Sequence, residues 1–98
     1  MSFFDQIAIR IIKEQELIIG PVAWDEAKKV SGLQMTGLNH TEISVQNGDP
    51  KVVINKLVEQ YENIFGKASH EVCKEAVQDL IAEMPDDQIP SSLKQRAQ

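Results

Sequence analysis

The chain holds one cysteine, Cys73, in 98 residues. No internal disulfide can therefore staple it, and such usage fits a reducing compartment. Apolar runs are short, and none approaches the ~20 residues that span a bilayer. The first basic residue is Arg10, so the charged start of a secretory signal is not expected either. Positive charge is the scarcer sign, with ten Lys and Arg against fifteen Asp and Glu and a formal net charge of −5. Nucleic-acid binders need a basic face that displaces counterions from phosphate, so this balance argues against nucleic acid, and against an anionic membrane, as the main partner. Glycine and proline are sparse, five and four residues, which excludes a collagen-like or low-complexity chain. What is present is ordinary for a globular domain: 42% hydrophobic and 26% charged residues, enough apolar side chains for one small core. The expected setting is the cytoplasm.

Helical spacing dominates the first part of the chain. Over residues 2–19, Phe4, Ile7, Ala8, Ile11, Ile12, Ile18 and Ile19 fall on one face, with Asp5, Gln6, Arg10, Lys13, Glu14 and Glu16 opposite. Phe3, Ile9 and Leu17 fall off that stripe and mark a second apolar contact. Gly20-Pro21 interrupts the pattern and opens a short helix over 21–30, which carries Ala23, Trp24, Ala27 and Val30 on one side. Gly32 is placed to stop it.

The period then changes. Thr41, Ile43 and Val45 alternate with Glu42, Ser44 and Gln46, ahead of Asn47-Gly48. This spacing predicts a strand over 41–46, with 33–36 as its hairpin partner. Asp49-Pro50 supplies an N-cap acceptor and a first-turn proline, followed by the stripe Val53, Ile54, Leu57, Val58, Tyr61, Ile64 and Phe65. Gly66 ends that helix. Ser69 is placed to cap a fourth helix over 70–84, whose apolar face holds Cys73, Ala76, Val77, Leu80, Ile81 and Met84. Two helices joined so tightly should lie antiparallel. The fold expected is mainly α, in the α+β class: four helices, the last two an antiparallel hairpin, with a short β-hairpin between the second and third. An all-α bundle is the alternative. Residues 1–85 form one small helical domain and 86–98 a polar C-terminal tail.

Chemistry is sparse. His70 and Cys73 lie three apart on one helix, but a structural zinc site wants four ligands and only His40 remains as a further nitrogen donor. A reactive thiol needs an exposed, electropositive setting, whereas Cys73 sits at the centre of an apolar face. Lys74 follows His70 without the neighbouring glycine of a phosphotransfer helix, and Ser91-Ser92-Leu93 lacks the acid of a carrier attachment site. No glycine-rich phosphate loop, paired His-Glu metal motif or nucleophile elbow is present. Neither catalysis nor a cofactor or metal is expected.

The surface offers more. Glu71, Glu75, Asp79 and Glu83 recur every four residues, a like-charge spacing that weakens an isolated helix. They are read as a docking edge for a basic segment of another protein. The function expected is a non-catalytic protein-interaction or regulatory module acting as a homodimer, with Phe3, Ile9 and Leu17 at the dimer contact. The alternative is a DNA-binding regulator with a helix-turn-helix-like segment at 22–45, whose recognition helix, over 34–45, would hold no Lys or Arg.

Overall fold

The computed structural model describes residues 3–36, 42–45 and 49–94. Helix α1 (Phe3–Ile19) buries Ile7, Ala8, Ile11 and Ile12 and packs on the helices that follow and on the second strand. It ends at Gly20, whose N–H returns to the Glu16 carbonyl at 2.9 Å. The φ of +80° there is a left-handed value that favours glycine. Pro21 then starts the short α2 (Val22–Ala27), and a turn carries the chain to Val30.

Strands β1 (Leu33–Thr36) and β2 (Glu42–Val45) pair antiparallel, with Leu33 opposite Val45 and Thr36 opposite Glu42. The expected hairpin is there, and the all-helical alternative is not. The helix that a helix-turn-helix would need over 34–45 is replaced by these strands, so that geometry is absent: alternating β-branched residues set a period of two instead of 3.6. A two-stranded ribbon has little stability alone. Here it is tied to the start of α1, where Asp5 Oδ1 accepts the Val45 N–H at 2.8 Å. His40 and the Asn47-Gly48 turn lie outside the described residues.

Asp49 caps α3 (Pro50–Phe65) as its side chain accepts from the Lys51 N–H at 2.9 Å. The stripe Val53, Ile54, Leu57, Val58 and Tyr61 is buried. Gly66 (φ +91°) turns the chain directly into α4 (Lys67–Ala76). The new helix therefore starts before Ser69, which is buried inside its first turn and does not cap it.

The expected helix over 70–84 is broken. At Val77 (φ −120°, ψ 12°) the chain leaves α4 and restarts as α5 (Gln78–Ile81). Two causes act together. Like charges four apart disfavour one continuous helix, and Arg10 of α1 reaches the break, donating to Asp79 Oδ1 at 2.8 Å and to the Ala76 carbonyl at 3.4 Å. Val77, Leu80 and Ile81 still face the core.

After Pro85, residues 86–94 make two 3-10 turns, Asp86–Gln88 and Ser91–Leu93, and bury Pro90 and Leu93 against α3 and α4. Ile89, Pro90 and Leu93 supply enough apolar surface to hold the segment down; residues 95–98 lie outside the described residues. Among the described residues no helix is long and apolar enough to cross a membrane.

Candidate functional site

His70 and Cys73 share α4 but not a reaction. His70 Nδ1 lies 3.0 Å from Glu62 Oε1 of α3, and its Nε2 lies 2.6 Å from the Ser92 carbonyl. Both ring nitrogens are thus taken by acceptors, and neither is free to serve the thiol as base. Cys73 is wholly buried. Burial pushes its thiol up to about 11, only partly offset by a hydrogen bond from Gln15 Nε2 to Sγ at 3.4 Å. Such a thiol is protonated at neutral pH and packs as a small apolar group. Among the described residues no group of three or more His, Cys, Asp or Glu is placed to hold a metal ion.

The four acidic residues all face solvent, though not along one helix. Glu71 and Glu75 lie on α4, Asp79 on α5 and Glu83 in the turn beyond it. Lys74 reaches Glu71 at 3.6 Å, and Arg10 holds Asp79 at 2.8 Å. The guanidinium keeps the Asp79 carboxyl below its ordinary range by hydrogen bonding first and charge second. Beside this pair, Arg10, Lys13, Glu14, Glu75, Ala76 and Asp79 line an open cleft of about 460 Å³. With both signs of charge in it, the cleft is less acidic than the spacing of carboxylates alone implies.

The apolar contact expected on α1 is divided by the fold. Ile9 is half-buried and packs against the core. Phe3, 41% exposed, stands at the opposite end of the helix from Leu17, which is 80% exposed. Its neighbour Ile18, which helical spacing places on the apolar face, is 61% exposed. Val22, just past the Gly20-Pro21 corner, is also exposed. In the last turn of α1 Ile19 still packs against the core while Leu17 and Ile18 face water, and the last fully buried residue of the helix is Gln15, whose Nε2 donates to the Ser69 carbonyl at 3.0 Å at the start of α4. That bond also puts Ile64, another exposed apolar residue at the end of α3, on the same end of the molecule.

The corner at 17–22 is the candidate site. Its chemistry is adhesive: adjoining large aliphatic side chains left in water, on a rigid helix end fixed by Gly20 and Pro21. Asn55 and Gln15 were overlooked because their partners lie 36 and more residues away, and no local period reports them. Compared with known protein families, curated proteins and solved structures, the chain matches none.

Proposed function

We propose that this chain is a non-catalytic interaction module that associates with a second copy of itself through the apolar corner of α1. The observation that carries the reading is the exposure of Leu17 and Ile18 side by side, 80% and 61%. A domain this small rarely leaves two neighbouring large aliphatics in water without a partner, and two-fold pairing is the commonest closed assembly. Val22 extends the surface around the corner, while Phe3 stands at its far end and Ile9 contributes chiefly to the core. A cytoplasmic setting belongs to the same reading, supported by the single buried thiol.

Sedimentation over a concentration series tests it. The wild type is expected as a dimer at high micromolar concentration, and the Leu17→Lys/Ile18→Lys variant as a monomer with unchanged helical circular dichroism. Copies of net charge −5 repel one another, so added salt should tighten the dimer. A wild type that stays monomeric at high micromolar concentration would overturn the reading. Capture of a basic partner through Glu71, Glu75, Asp79 and Glu83 is the second contact in this proposal, favoured by the solvent exposure of all four, and it has the opposite salt dependence.

A further inference from the structure

Residues 89–93 are held to the body as proteins hold a bound peptide. Ser92 is gripped at each of its polar atoms. Its N–H donates to Asn55 Oδ1 at 3.0 Å, its hydroxyl donates to the same oxygen at 2.6 Å, and its carbonyl lies 2.6 Å from His70 Nε2. Asn55 Nδ2 also donates to the Ser91 hydroxyl at 3.2 Å. On either side Pro90 and Leu93 are fully out of solvent, while Ser91 between them stays exposed. Asn55 belongs to α3 and His70 to α4, so the two helices form a groove with a polar anchor on each wall.

The backbone suits the role. Pro85 (φ −59°, ψ 144°), Ile89 (φ −82°, ψ 125°), Pro90 (φ −55°, ψ 136°) and Lys94 (φ −67°, ψ 137°) all lie near the polyproline II region. Within the docked segment Ile89 and Pro90 have that conformation and Ser91–Leu93 follow as a 3-10 turn; the fixed φ of Pro90 lowers the entropy lost when the segment docks. The contacts to Asn55 and His70 come from the segment's own residues, while the tether is held as well: the Ile89 N–H donates to the Asp86 carbonyl at 3.2 Å and Lys51 Nζ donates to the Asp87 carbonyl at 2.9 Å.

We infer that the groove between α3 and α4 is a peptide-binding groove, closed in one chain by its own segment 89–93 and open to exchange with the same segment of a second copy. The recognised pattern is a buried proline, an exposed residue, a serine bonded at N–H, hydroxyl and carbonyl, and a buried leucine. A short tether gives the resident segment an effective concentration on the order of millimolar. The resident segment therefore wins at micromolar protein, and exchange dominates when it is weakened or the chain is concentrated. This surface uses none of the α1 corner and does not rest on the association proposed there.

The test uses full-length chains and a fluorescent peptide spanning residues 85–94. In the Leu93→Ala chain the resident segment is weakened while Asn55 and His70 remain. That chain is expected to bind the wild-type peptide roughly tenfold or more tighter than the wild-type chain does. Adding Asn55→Ala should abolish the gain, and a peptide carrying its own Leu93→Ala should not bind. The Leu17→Lys/Ile18→Lys variant should take the peptide as the wild type does, so failure of the α1 reading and failure of this one are distinguishable. Should circular dichroism show the Leu93→Ala chain unfolded, the Ser92→Gly chain, which keeps both apolar anchors, supplies the same readout. A folded variant that takes no peptide, or takes both peptides equally, overturns the inference. Unfolding of both variants does so too, because the segment is then an obligatory part of the core.

Discussion

The phenol of Tyr61 on α3 donates a 2.6 Å hydrogen bond to the carbonyl of Ala23 on α2, with the whole side chain buried. Among the described residues the bond is one of two polar ties, with Gln60 to Glu26, between a strong helix and a six-residue one that has no side-chain cap of its own. Burial, the larger cause, and the nearby Cys73 and Glu26 raise the phenol above its ordinary pKa, so it remains a donor across the working range. Tyr61→Phe keeps the ring and removes the donor. The expected loss is about 1–2 kcal/mol in urea unfolding, with Trp24 fluorescence reporting the loosened α2. An unchanged midpoint would show that the bond adds nothing beyond the packing of the ring.

Gln15 poses the converse case. Its amide nitrogen donates to the Ser69 carbonyl and to Cys73 Sγ, but its Oε1 is buried with no partner among the described residues. An orphaned buried acceptor costs about as much as a good hydrogen bond contributes. Gln15→Met, of similar length and without the polar atoms, is therefore expected to leave stability unchanged or raise it by up to about 1 kcal/mol. Gln15→Ala, which opens a cavity, should cost about 2 kcal/mol or more. Chemical denaturation of the two variants separates the contributions. A Met variant less stable than wild type by more than about 1 kcal/mol would show that the two bonds outweigh the orphan.

These two residues also mark what could be read from the sequence. Tyr61 sits on a stripe whose period names the helix and its buried face, and Ile7 and Ile11 do the same for α1. The hairpin was legible for a similar reason, since Ile43 and Val45 alternate with polar residues. Gln15 was not legible: it lies at a core position, but a polar side chain counts against burial in any wheel. Its justification is a carbonyl 54 residues away. The break at Val77 depends on Arg10, 66 residues from Ala76, and the packing of Leu93 depends on Asn55 holding Ser92. Ile18 failed in the other direction, because periodicity tells which face a residue is on and not whether a neighbour reaches that far along the helix.

Cys73 should behave as part of the core. With its thiol pushed up to about 11 by burial, roughly one molecule in ten thousand carries a thiolate at neutral pH, and the sulfur is closed to solvent as well. Native labelling by a thiol reagent should therefore proceed only through opening of the structure, at a rate that rises steeply with urea. Cys73→Ala should remain folded, whereas Cys73→Asp should lose several kcal/mol by burying an unpaired charge. Rapid labelling in native buffer, insensitive to urea, would contradict the buried assignment.

Glu26 should contribute to the acid limb of stability. Its side chain is nearly closed off, yet the carboxylate is well served: Gln60 Nε2 donates to Oε1 at 2.8 Å and Lys29 Nζ to Oε2 at 3.2 Å. The Gln60 amide and then the Lys29 ammonium hold its pKa below the ordinary value of 4.5, against the opposing effect of burial. A carboxyl whose pKa is lower folded than unfolded contributes its full stabilisation above the unfolded value, and loses it as pH falls through the folded one. Asp79, lowered by Arg10, acts in the same direction. Glu26→Gln keeps a hydrogen-bonding amide but discards the charge. It should be less stable than wild type at neutral pH, and the gap should narrow as pH falls below the ordinary carboxyl value of 4.5 and close once the folded wild-type carboxyl is also neutral. Urea midpoints of both proteins across that range measure it. A gap that stays constant down to the acid end would mean the loss comes from packing or geometry, and that the charge of Glu26 is irrelevant to holding α2 on α3.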